Sequence, residues 1–209
     1  MASNPFSAAW EPIRRYSNWA VAFHWTTVVL VLAQAYLGFA FGMAEKGPGR
    51  AELFTWHKTV GALILVTTLA RLAYRLVNPP PPYPDDLPRW EQVTGTWTHR
   101  LFYVLLIAMP LSGLTAVSAH TQGATTPLVG GIPLPVIPGV SAAVGDYAAG
   151  IHVGLVFILL LAIVIHAAAA LKHQFIDRLP AAARMPPFET PGHKPTVIGQ
   201  GHRAHPVGG

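Results

Sequence analysis

Four apolar runs, residues 19–41, 53–74, 97–117 and 150–171, dominate the 209-residue chain. Crossing the hydrocarbon core of a bilayer takes about 20 residues of helix. In lipid every backbone N–H and C=O must be paired within the protein, so spans of this length must be helices. The runs predict an all-α integral membrane four-helix bundle over residues 1–178, followed by a disordered tail over 179–209 rich in Pro, Gly and isolated charges. Composition agrees. Charged residues make up 11% of the chain and hydrophobic ones 52%, whereas soluble domains carry about 25% charge. The first run is retained as a span: it is too long for a signal-peptide core, lacks a small-residue cleavage site and carries His24.

The connectors set the topology. "NPPPPYPDDLP", residues 78–88, cannot continue a helix. The stretch between the third and fourth runs, residues 118–147, is long for a compact bundle and predicts a cap over one end. With four spans both termini share a side with the proline-rich connector. That side holds Arg14, Arg15, Arg71, Arg75, Arg89, Arg100, Lys172, Arg178, Arg184, Lys194 and Arg203, leaving only Lys46, Arg50 and Lys58 of the 14 basic residues on the other. The positive-inside rule then predicts cytoplasmic termini in a bacterial inner membrane. The net charge of +5 is dispersed around apolar runs rather than gathered on one face, which argues against nucleic acid.

Ten histidines and no cysteine accompany these spans. That excludes disulfides, cysteine-held iron–sulfur clusters and the covalent attachment of a c-type haem, and it points to imidazole chemistry. An imidazole at membrane depth is costly and is a functional signal by default. His152 and His166 are 14 residues apart on the fourth run, about 40° short of four full turns and roughly 21 Å apart along the axis. Depth sorts the four intramembrane candidates into pairs, His24 with His166 near the inner side and His57 with His152 near the outer side. Two facing imidazoles at each of two depths match the axial ligation of two b-type haems inside a bundle. A bare zinc ion is a poorer match, because each depth offers two imidazoles and no acidic partner where three or four ligands are needed.

Other histidines keep two readings each. His99, opening the third run, is either a substitute ligand or propionate contact for the inner haem, or an interfacial anchor. His173 is either a surface residue or a hydrogen-bond donor to a quinone carbonyl. His120 falls in the outer loop, and His193, His202 and His205 in the tail are assigned no role. Gly61, Gly113 and the small residues 167–170 permit close approach of helices or a flat macrocycle, and Pro110 predicts a kink in the third helix.

The stretches "RYSNWAVAFHWTTVVLVLAQAYLG", "WHKTVGALILVTTLARLAYRLVNPPPPYP", "HRLFYVLLIAMPLSG" and "IHVGLVFILLLAIVIHAAAALKHQF" resemble the bacterial cytochrome b561 family of di-haem four-helix membrane cytochromes. The resemblance covers residues 15–178 apart from the outer loop. It implies haem-iron ligands at His24, His57, His152 and His166, a quinone contact at His173, and electron transfer between the outer side and the quinone pool. Some family members oxidise superoxide and reduce ubiquinone, which is the activity expected here. The alternative is a haem b membrane-anchor and electron-transfer subunit of a partner dehydrogenase, such as a hydrogenase or formate dehydrogenase. Expected partners are therefore the lipid bilayer, ubiquinone, and superoxide or another periplasmic electron donor, with a partner dehydrogenase or a homodimer as further assemblies. On an otherwise uncharged outer side, Lys46, Arg50 and Lys58 lead into His57 and are candidates for steering an anion; their alternative reading is interfacial snorkelling or propionate pairing.

Overall fold

A computed structural model of the chain describes residues 15–83, 87–177 and 184–186. Four long helices account for nearly all of it: α1 Asn18–Met43, α2 Pro48–Val77, α3 Arg89–His120 and α4 Ala142–Phe175. Each is long and apolar enough to cross a membrane. Sequence chemistry marks their starts. The Ser17 hydroxyl accepts from the Ala20 N–H at 3.2 Å and the Ser141 hydroxyl from the Val144 N–H at 3.4 Å, each satisfying one orphan donor of a first turn. At α2 the first helical residue is Pro48, which has no N–H to leave unpaired.

Every helix outruns the apolar segment that announced it. Helices α2, α3 and α4 begin at Pro48, Arg89 and Ala142, where hydropathy placed their starts at 53, 97 and 150. Hydropathy reports the hydrocarbon slab, whereas backbone hydrogen bonding continues into the polar interface, where Arg50, Glu52, Glu91 and Asp146 are tolerated. Helix α3 runs on through Pro110.

Short links make α1 and α2 antiparallel neighbours; α3 packs along α4, and α2 meets α3. The core is narrow: Val31, Val60, Ile64, Leu105, Leu106, Met109 and Leu159, with Ile64 only 1% exposed. Around it large apolar side chains such as Phe39, Val66, Val104 and Phe157 point outward. Helices that are apolar all round suit a lipid surround, not water. The start of α1, the end of α4 and the described connector residues 78–83 and 87–88 meet at one end of the bundle, where Tyr16, Asn78, Trp90 and Lys172 line one cavity.

At the opposite end residues 121–141 form a cap. Strands β1 Thr125–Pro127 and β2 Pro133–Pro135 pair antiparallel, Thr126 opposite Leu134, around a turn in which Gly130 and Gly131 both adopt φ +76°, a conformation that favours glycine. Three bonds pin the cap down. Lys58 Nζ donates to Thr126 Oγ1 at 2.7 Å, the Val129 N–H to Thr59 Oγ1 at 3.0 Å, and the Ile137 N–H to Ser118 Oγ at 3.0 Å.

Of the 179–209 tail, the described piece is 184–186, and it is docked. Tyr16 N–H donates to the Arg184 carbonyl at 3.1 Å, and Trp25 Nε1 to the Pro186 carbonyl at 2.7 Å. Arg184 is buried, its guanidinium stacked on Tyr16 and Tyr83 and donating to the Pro81 carbonyl. The rest of the expected disordered tail, with His193, His202 and His205, lies outside the described residues.

Candidate functional site

At the capped end, His57 of α2 and His152 of α4 face each other across the bundle. Their ring centroids are 6.1 Å apart and their planes 76° apart. His152 Nδ1 lies 2.8 Å from the Met109 carbonyl. A carbonyl only accepts, so this nitrogen carries the proton and Nε2 keeps its lone pair. His57 Nε2 lies 3.1 Å from the Gln34 amide nitrogen, while its Nδ1 is buried without a partner, as is Gln34 Oε1. Glycines flank both rings. A Cβ on Gly38 would sit 3.2 Å from His57 Cε1, and one on Gly113 3.1 Å from His152 Cε1. Only hydrogen fits there without displacing an imidazole.

At the other end, a cavity of about 360 Å³ is lined by His24, His99 and His166 together. His99 and His166 have ring centroids 5.6 Å apart at 66°, and Phe102 stacks edge-on against His166 at 5.3 Å. Arg71 Nη2 approaches His24 Nδ1 at 3.4 Å, and Arg71 and Arg75 both lie 5.8 Å from the Tyr103 ring centre. His99, placed by sequence at the end of a span, is therefore as close to the inner layer as the two histidines matched there by depth. Its Nδ1 is buried and unpartnered.

Does this donor set suit a haem? At the metal–imidazole distance of about 2 Å usual for first-row metals, two imidazoles on opposite sides of one ion have centroids roughly 6 Å apart. The outer pair has that spacing. The orphaned imidazole nitrogens and the glycine-smoothed ring faces fit a planar macrocycle better than a bare ion. Among the described residues no group of three or more His, Cys, Asp or Glu gathers as a bare-metal site would need.

The remaining candidates divide. His173 lines the inner cavity, its Nδ1 donating to Asp177 Oδ2 at 2.9 Å and its Nε2 3.7 Å from Glu91 Oε2. Lys172 bonds the same Asp177 oxygen and holds that carboxyl below its usual range. Lys46 is exposed near the start of α2. Arg50 is committed to the α1 terminus, donating to the Ala44 carbonyl at 2.9 Å and lying over the Phe41 ring. Lys58 is tied into the cap, as above. His120 forms an exposed pair with Asp146 at 3.4 Å.

Sequence reasoning passed over Gln34, Glu91 and Asp177. Asp177 had a signal, the i,i+4 spacing to His173. Glu91 falls before the 97–117 run, outside every span read from the sequence, and Gln34 is a lone polar residue within one.

A bundle of four membrane-crossing helices with imidazoles gathered at two depths defines a multi-pass membrane electron-transfer protein. The family model for prokaryotic cytochrome b561 matches residues 15–187. Cytochrome b561 homolog 2 of Escherichia coli (strain K12) is 30% identical over 179 residues, covering 82% of this chain and 90% of that protein. The chain belongs to the prokaryotic cytochrome b561 family, whose prosthetic group is b-type haem.

Proposed function

We propose that the chain oxidises superoxide at the periplasmic face of the inner membrane and reduces ubiquinone, passing electrons through two b haems. His57 and His152 hold the outer haem and His24 and His166 the inner one, with His99 beside the inner pair. The observation that carries this reading is the sorting of imidazoles into two layers, one under the loop cap and one at a cavity of about 360 Å³. When bound, the haems would supply one-electron redox chemistry. Arg71, Arg75 and Tyr103 surround the inner layer and supply cations and a hydroxyl for propionates or a quinone carbonyl. His173, on the same cavity wall, is the candidate quinone contact. Among the described residues on the outer side, Lys46 is the cation best placed to draw in an anion, since Arg50 and Lys58 are already bonded. The distribution of Lys and Arg supports cytoplasmic termini.

Stopped-flow mixing of the purified protein with superoxide tests this directly. The haems should be reduced quickly, reoxidised by added ubiquinone, and reduced more slowly as ionic strength rises or when Lys46 is replaced by Glu. Haems that ignore superoxide would reject the oxidase reading and put the dehydrogenase-subunit alternative in front.

A further inference from the structure

Beyond the histidines, the inner cavity has a wall with its own chemistry. Glu91, in the first turn of α3, faces the end of α4 with its side chain 11% exposed. Its Oε2 is buried and accepts no hydrogen bond. His173 Nε2 stands 3.7 Å from that oxygen and Lys172 Nζ 3.8 Å from Oε1. Behind His173, on the side away from Glu91, Asp177 Oδ2 accepts from Nδ1. Glu91, Lys172 and His173 all line the cavity. The order is therefore carboxylate, imidazole, carboxyl, running from the partly exposed end of α4 to the cavity wall.

We propose that Glu91 is the proton donor to a quinone in this cavity, recharged through His173, with Asp177 as the positioning residue that fixes the His173 tautomer; with both ring nitrogens so engaged, His173 serves the quinone through Glu91 and not by direct contact. The proposal rests on the reading of the cavity as a quinone site. A polar atom buried without a partner is costly to keep, and a carboxyl that alternately holds and releases a proton gives a reason to keep it. Asp177, held ionised by Lys172, accepts from Nδ1 and keeps one proton there, which leaves Nε2 as the nitrogen that exchanges. The 3.7 Å gap closes with a small rotation of the carboxyl.

The balance is simple. Reducing one quinone to quinol consumes two electrons and two protons. Two superoxide ions supply the electrons and leave as two molecules of dioxygen. For each proton, the Glu91 O–H bond breaks as an O–H bond forms on the quinone oxygen. The imidazolium of His173 then gives its Nε2 proton to the Glu91 carboxylate, and a proton drawn from bulk water, which leaves hydroxide there, restores Nε2.

The charged and titratable groups facing Glu91 are Lys172 and His173 from α4, with Asp177 beyond them. The same cavity is lined by His24 of α1, Arg71 and Arg75 of α2, His99 of α3, His166 of α4 and Arg184. An interhelical clamp between α3 and α4 is the competing account of this cluster. It predicts a loss of stability, not a change in proton transfer.

The test uses the haem-loaded protein, reduced anaerobically and mixed with decyl-ubiquinone in H2O and in D2O. Glu91→Gln should slow haem reoxidation by on the order of 10²-fold, with haem spectra and equilibrium quinone affinity unchanged, and Glu91→Asp should recover part of the rate. Asp177→Asn should slow it less. Redox-difference infrared spectra on adding quinone should contain a carboxyl band that shifts in D2O and is absent from Glu91→Gln. If Glu91→Gln reoxidises at the parent rate with the parent isotope effect, the relay is wrong and the quinone site stands. If affinity falls with the rate and Glu91→Asp is no better, Glu91 is structural and the relay is overturned. If the parent protein's reduced haems do not react with the quinone at all, the cavity reading itself fails and the relay falls with it.

Discussion

His57 and His152, on α2 and α4, meet ring to ring at 6.1 Å across the bundle although no hydrogen bond joins them. Each is held from behind by another group, His152 by the Met109 carbonyl and His57 by Gln34. Two imidazoles that face each other at this spacing, and are hydrogen-bonded to other groups and not to each other, fit ligation of one iron between them. The first prediction follows: the purified protein should carry two haems. His57→Ala or His152→Ala should remove the outer one, and His24→Ala or His166→Ala the inner one. A pyridine haemochrome assay counts them, and one haem per chain in the parent protein would sink the assignment.

The glycine against His152 gives a test that leaves every candidate ligand in place. A side chain at Gly113 would press on the imidazole, since its Cβ alone would lie 3.1 Å from Cε1 and 3.2 Å from Nδ1. Gly113→Val should tilt the ring, weaken its bond to the Met109 carbonyl and deplete the outer haem. Gly42, with nothing within 4 Å of an added Cβ, is the control, and Gly42→Ala should load haem normally. Equal loading of both variants would show that the His152 face does not matter.

Helix packing at the capped end depends on Gly145. An added Cβ there would fall 2.2 Å from the Ala119 Cβ, so α3 and α4 can approach this closely only without it. Gly145→Ala should destabilise the protein by about 1–3 kcal/mol through overpacking. Thermal unfolding in detergent would register this as a lower Tm, and adding Ala119→Gly should restore most of it. A double variant no better than the single one would place the strain elsewhere.

Orientation can be read by labelling. Ala124 is exposed in the loop cap, on the side expected to be periplasmic, whereas Gly208 is near the C-terminus. A cysteine at Ala124 should react with an impermeant maleimide in intact cells and one at Gly208 should not. The reverse pattern would exchange inner for outer throughout.

How much of this could be read from the chain alone follows from which properties are local. Span number and alternation were legible because hydropathy over about 20 residues is a property of each segment by itself. So was the shared face of His152 and His166, which helical periodicity fixes once residues 150–171 are helical. The helix ends were misjudged by several residues, because lipid exposure and backbone hydrogen bonding stop at different places. Nothing local could say that His99 would come within 5.6 Å of His166, that Glu91 would face His173, or that Gly113 would cover His152. Those pairings depend on how each helix is rotated about its axis and which helix it packs against. In a soluble bundle the apolar stripe encodes that rotation. Here lipid and core are equally apolar, so hydrophobicity cannot distinguish them, and close packing around small residues and buried polar groups decides it instead.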